Sequence, residues 1–145
     1  MVTLSIDTHA QRPETLKTFA YWGATALTAF AFFAGGIADL TRGPAMLSGM
    51  EHLGYPSYFL LILGAWKVLG ALAIVAPRLP RLKEWAYAGI AFDLTGAALS
   101  HAAVGDAAAK VLVPLVLLGL AVASWALRPA PSGRAIRTEA LAAHG

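Results

Sequence analysis

Apolar residues in this chain neither alternate nor keep to one helical face; they fill whole stretches that brief polar segments separate. Four such stretches run at about 19–38, "FAYWGATALTAFAFFAGGIA", 55–76, "YPSYFLLILGAWKVLGALAIVA", 85–104, and 107–127, "AAAKVLVPLVLLGLAVASWAL". Each has the roughly 20 residues that a helix needs to cross about 30 Å of hydrocarbon. Only a helix satisfies its own backbone groups within one such segment, so the pattern predicts an all-α fold, a bundle of four antiparallel transmembrane helices. Pro114 lies inside the fourth stretch, where a membrane helix tolerates a kink. Segment 39–54, "DLTRGPAMLSGMEHLG", is the longest link and is expected to fold over one mouth of the bundle. The other two links are short, which makes the second, third and fourth spans antiparallel neighbours.

Composition changes this picture little. The 145-residue chain is 58% hydrophobic and 13% charged, about half the charge of an ordinary soluble domain. It has no cysteine, which excludes disulfides, thiolate metal ligation and dithiol redox chemistry within the chain. The net charge of +3 sits in short basic clusters beside apolar runs, a pattern of membrane orientation rather than nucleic-acid binding. Eight basic residues (Arg12, Lys17, Arg78, Arg81, Lys83, Arg128, Arg134, Arg137) fall on the side of both termini and two (Arg42, Lys110) on the other. That asymmetry predicts both termini inside, in a bacterial cytoplasmic membrane. Residues 1–17 then read as a cytoplasmic lead rather than a signal peptide, 18–127 as the membrane domain, and 128–145 as a flexible cytoplasmic tail.

Candidate chemistry begins with two charges inside spans. Lys67 lies nine residues before the end of the second stretch and Asp93 eight residues into the third, so both fall near mid-bilayer. An unpaired charge there costs several kcal/mol, and a Lys67–Asp93 pair between adjacent helices is the expected solution. It serves either as a structural ion pair or as the polar end of a ligand slot, between small-residue faces that include Gly64, Ala71, Gly96 and Ala97. Toward the outer ends lie Asp39, Glu51, His52, Ser100, His101 and Asp106, candidates for proton exchange, headgroup contacts or closure of the loop over the bundle. Two histidines with carboxylates could hold a metal, but no ligand-spacing motif accompanies them, and no metal site is assigned. Glu84 stands at the inner start of the third span. His9 and His144, in the tails, need no role. Phosphate-binding, dinucleotide and nucleophile-elbow glycine motifs are absent, and no span pairs two histidines as a haem would require.

The strings "LGYP", "GAWKVLGA" (64–71), "LKEWAYAG" and "SHAAVGD" (100–106) stand in an order that resembles the DoxX-like family of small four-helix membrane proteins. The resemblance covers about 19–127. It implies the four-helix fold and a loose connection to quinones and membrane redox complexes, and it draws attention to Lys67, Glu84, Asp93, Ser100, His101 and Asp106 without assigning them catalytic roles. Three functions follow as expectations. One is binding of a quinone or other apolar small molecule between the second and third spans. Another is a scaffold or assembly subunit, partnered by a redox subunit or by a second copy. The last is an intramembrane acid–base enzyme acting on an apolar substrate through Asp93 or Glu84.

Overall fold

A computed structural model describes residues 12–128; the expected tail from 129 onward, most of the lead, His9 and His144 lie outside the described residues. Five helices follow one another: α1 (Arg12–Thr41), α2 (Pro44–His52), α3 (Phe59–Val75), α4 (Pro80–Ala103) and α5 (Ala108–Ala126). No strand occurs among the described residues. The four long helices correspond to the four apolar stretches, and the short α2 occupies the long link. α1 extends beyond its apolar stretch at both ends, so residues 12–17 of the expected lead are helical.

Local chemistry sets the boundaries. Pro44 and Pro80 sit in the first turns of α2 and α4, where a missing N–H removes no bond. α3 starts only at Phe59, because Pro56, Ser57 and Tyr58 form the turn that feeds it. Gly54 and Gly105 follow α2 and α4 at φ +78° and +74°. In each case the helix closes with paired bonds, Gly54 N–H to Glu51 O with Tyr55 N–H to Met50 O, and Gly105 N–H to Ala102 O with Asp106 N–H to His101 O. These are Schellman closures, and they need the left-handed residue that glycine supplies.

α1, α3, α4 and α5 alternate in direction and close a ring in which α1 touches α3 and α5, and α4 touches α5 and α3. The α3/α4 side is the loosest of the four. By contrast, α1 and α3 meet backbone to backbone. A Cβ on Gly36 would lie 2.9 Å from the Gly64 carbonyl oxygen, and one on Gly64 would lie 2.8 Å from that of Gly36. A small apolar core (Phe32, Ala71, Ile74, Tyr87, Ile90, Leu94, Ala121) joins all four helices. Beside it the Ser124 hydroxyl meets Thr25 Oγ1 at 2.6 Å and Tyr87 Oη at 2.7 Å, which ties α5 to α1 and α4 with no buried side-chain polar atom left unpaired among the described residues.

Outward, the long helices present large apolar side chains: Phe19 and Phe30 on α1, Trp66 and Leu69 on α3, Phe92 and Leu99 on α4, Val113 and Val116 on α5. Two helices are long and apolar enough to cross a membrane, Thr15–Thr41 and Ala108–Ala126. α3 is apolar but only 17 residues long, and α4 dilutes its apolar run with Lys83, Glu84 and Asp93.

The glycine crossing generates a test. Gly64→Ala should cost about 1–3 kcal/mol, because the new methyl meets the backbone of Gly36 and Leu40 as well as the Leu40 side chain, and the backbone cannot move aside. Gly35→Ala, with open space around the added atom, should leave stability unchanged or raise it. Thermal unfolding of both variants in one detergent checks the contrast.

Candidate functional site

Between α3 and α4, where the ring is loosest, lies a cavity of about 370 Å³, within the range of small-ligand sites. Leu63, Trp66, Lys67, Leu69, Gly70 and Ala73 form one wall, Leu82, Trp85, Ala86, Gly89, Ile90 and Asp93 the other, and Phe32 of α1 the floor. Among the described residues, Lys67 and Asp93 are its only charged ones. Trp66 and Trp85 also line it while remaining 70% and 80% exposed, so the cavity faces the outer surface of the bundle sideways.

Lys67 and Asp93 therefore share one cavity, but the expected direct pair between them does not form. Lys67 Nζ donates to Asp39 Oδ2 at 2.9 Å, and Asp39 is buried at 6% exposure. The reason lies in the helix crossing. Asp39 and Lys67 each stand three residues after a crossing glycine, Gly36 and Gly64. Side chains on a helix lean toward its N-terminus, so on antiparallel helices the two lean toward one another across the glycine contact. The looser α3/α4 side brings Asp93 no such approach. Asp93 is half-buried, senses the charges of Lys67 and Asp39, and has no hydrogen-bond partner among the described residues.

The anticipated outer cluster forms in part. Asp106 gathers His101 (Nδ1 to Oδ2, 2.7 Å), Lys110 (Nζ to Oδ1, 2.9 Å) and His52 (Nε2 at 3.1 Å from both oxygens). The Schellman turn at Gly105 folds Asp106 back onto His101, and this explains "SHAAVGD" physically. Asp39 does not join, being committed to Lys67, and exposed Glu51 lies instead at a shallow hollow beside Tyr55 and Ser57. Ser100 donates to the Gly96 carbonyl and receives the Tyr55 hydroxyl at 2.8 Å, so "LGYP" and "SHAAVGD" clasp the α2 end of the bundle together. At the opposite end Glu84 accepts from Trp125 Nε1 at 2.8 Å and pairs with Arg128, whose guanidinium also lies 5.8 Å from the Tyr87 ring centroid. Hydrogen bonding from His101, then Lys110, with His52 adding, holds the Asp106 carboxyl well below the usual carboxylate range. Bonds from Trp125 and Arg128 lower Glu84 likewise.

The sequence reading did not single out Thr25, Ser124, Tyr55 or Lys110. For Thr25 and Ser124, hydroxyls buried within apolar stretches were the available signal, since in lipid each must find a partner; exposed Tyr55 and Lys110 carried none.

Comparison with known proteins gives one family. The model of the DoxX-like family matches residues 23–124, most of the chain and all of the cavity, and the chain belongs to that family. No curated protein and no solved structure matches it. Family and apolar helices together identify an integral membrane protein in contact with the bilayer.

Two measurements test this geometry. Removing one partner of the half-buried clasp, as in Asp39→Asn or Lys67→Met, should destabilise the fold by about 3–5 kcal/mol, whereas Lys67→Met/Asp39→Leu should recover most of the loss. Unfolding of the three variants in detergent reads this out. The depressed acids also fix a pH dependence. A carboxyl lowered in the folded state stabilises above its ordinary pKa, and that stabilisation is lost as pH falls toward the folded value. The melting temperature should thus drop as pH falls below about 4, and the drop should be smaller in Asp106→Asn.

Proposed function

Starting from membership of the DoxX-like family, we propose that all four long helices cross a bacterial cytoplasmic membrane, with both termini inside, and that the α3/α4 cavity binds a neutral lipid-soluble ligand of the quinone class. Support for four crossings comes from the apolar surface of α3 and α4 as well as α1 and α5, since a soluble helix would turn charge outward. Support for the orientation comes from the excess of Lys and Arg at the end shared by the termini.

The single observation that carries the ligand reading is an apolar cavity with exposed Trp66 and Trp85 in its lining and Lys67 and Asp93 in its walls. An ammonium has three N–H donors, and Asp39 engages one of them at 2.9 Å. Donors therefore remain for an oxygen placed in the cavity, and a quinone brings carbonyl oxygens on an apolar ring. Entry from the bilayer follows from the side opening. Any thiol chemistry coupled to such a ligand rests with another subunit, since this chain has no cysteine.

A structural reading competes on one observation: the Lys67–Asp39 bond satisfies both charges without a ligand. On that reading the chain is a scaffold or assembly subunit.

Trp66 and Trp85 provide the probe. In nanodiscs, added ubiquinone or menaquinone should quench tryptophan fluorescence saturably, and Lys67→Met/Asp39→Leu, which removes the ammonium donors while keeping the fold, should weaken binding about tenfold, near the worth of one hydrogen bond to a charged group. Linear quenching without saturation, together with only bulk lipid among co-purifying small molecules, would sink the ligand reading and favour the scaffold.

A further inference from the structure

The basic residues divide in a way the ligand reading does not use. At the α2 end and inside the bundle each has a partner: Arg42 on Ser57, Lys67 on Asp39, Lys110 on Asp106. At the end shared by the termini, among the described residues, Arg128 is engaged, on Glu84. Arg78, Arg81 and Lys83 have no hydrogen-bond or ion-pair partner among the described residues. Glu84 is the sole described acid near them, and Trp125 and Arg128 already occupy its two oxygens. Three uncompensated cations thus crowd one six-residue segment.

That segment is also held in a particular shape. Pro77 precedes it and Pro80 lies within it, and Arg78 sits at φ +59°, a left-handed conformation that glycine would adopt without strain. Exposed Leu79 and Leu82 alternate with the cations, and Leu82 and Trp85 are cavity-lining residues. Basic charge therefore meets apolar surface at the mouth of the cavity.

Resting on the orientation proposed above, which sets this end at the inner leaflet, we propose that segment 78–83 is a headgroup site for an anionic phospholipid. Its phosphate lies on Arg78, Arg81 and Lys83, and an acyl chain lies against Leu82 and Trp85 at the cavity mouth. Charge complementarity selects the occupant: anionic inner-leaflet lipids supply the negative charge that the protein withholds, and each juxtamembrane Lys or Arg adds to the attraction. A zwitterionic lipid offers the same phosphate with its charge already offset.

The full chain in mild detergent is offered equal amounts of phosphatidylglycerol and phosphatidylcholine with identical chains, and native mass spectrometry counts the retained lipids. Phosphatidylglycerol should be retained at least about tenfold over phosphatidylcholine. Arg78→Gln/Arg81→Gln/Lys83→Gln should reduce the ratio to about one, while Lys17→Gln, which removes an exposed cation of α1, should keep most of it. Equal retention by the native chain overturns the proposal, as does an equal loss in Lys17→Gln, which would mark a diffuse field rather than a site. Displacement of the lipid by excess inorganic phosphate would remove the acyl-chain part and leave a bare phosphate site. Should the triple variant fail to fold, salt titration of the native chain decides, since the preference must fall as ionic strength rises. Quinone quenching of the triple variant is read separately, so loss of lipid preference with quenching intact, or the reverse, tells which of the two proposals has failed.

Discussion

The rest of this bundle depends on one close approach, the backbone contact of Gly36 with Gly64. In lipid there is no hydrophobic gain from bringing helices together, so association relies on packing and on polar bonds between helices. Two glycines let α1 and α3 come near enough for both. Their missing side chains leave room for the Lys67 stem, whose Cβ would stand only 3.0 Å from a methyl placed on Gly36. The ammonium can then reach Asp39 without distortion. A charge pair that would be costly to desolvate is thereby bound to a specific register, since sliding either helix by a turn would separate Lys67 from Asp39 and set side chains against the glycines.

From that fixed pair the other contacts follow a division of labour. Ser124 fastens α5 to α1 and α4 through two hydroxyls, and the small core fills the middle. What remains is the α3/α4 side, with no side-chain hydrogen bond of its own between the two helices. The cavity occupies the side that the polar bonds leave alone, and it is why Asp93, at the depth of the clasp, is left without a hydrogen-bond partner.

Much of the architecture was legible in the chain. Four apolar stretches marked the four long helices to within a few residues at most of their ends, and equal spacing from the loop placed Lys67 and Asp93 at one depth. The identity of the lysine's partner was not legible by that method. Hydropathy ends the first span at Ala38, which puts Asp39 among the outer loop residues, whereas α1 continues to Thr41 and buries it. The missing information was three-dimensional: matched Gly–x–x–charge spacings at 36–39 and 64–67 acquire meaning only once the helices are antiparallel and touching. The same holds for His52, His101 and Asp106, whose convergence depends on two left-handed glycines turning the chain back, while Glu51, one residue from His52, turns the other way.

The clasp of Tyr55 on Ser100 has a mechanical consequence for the α3/α4 slot. At one end the chain itself joins the helices through the four residues Ala76–Leu79; at the other, the tyrosine hydroxyl bridges the segment entering α3 to the last turns of α4. A slot pinned at both ends cannot swing open like a hinge. It widens only by bowing its two long walls apart, with the greatest give midway along, and α4 has Gly89 and Gly96 on either side of Asp93 to soften that flexure.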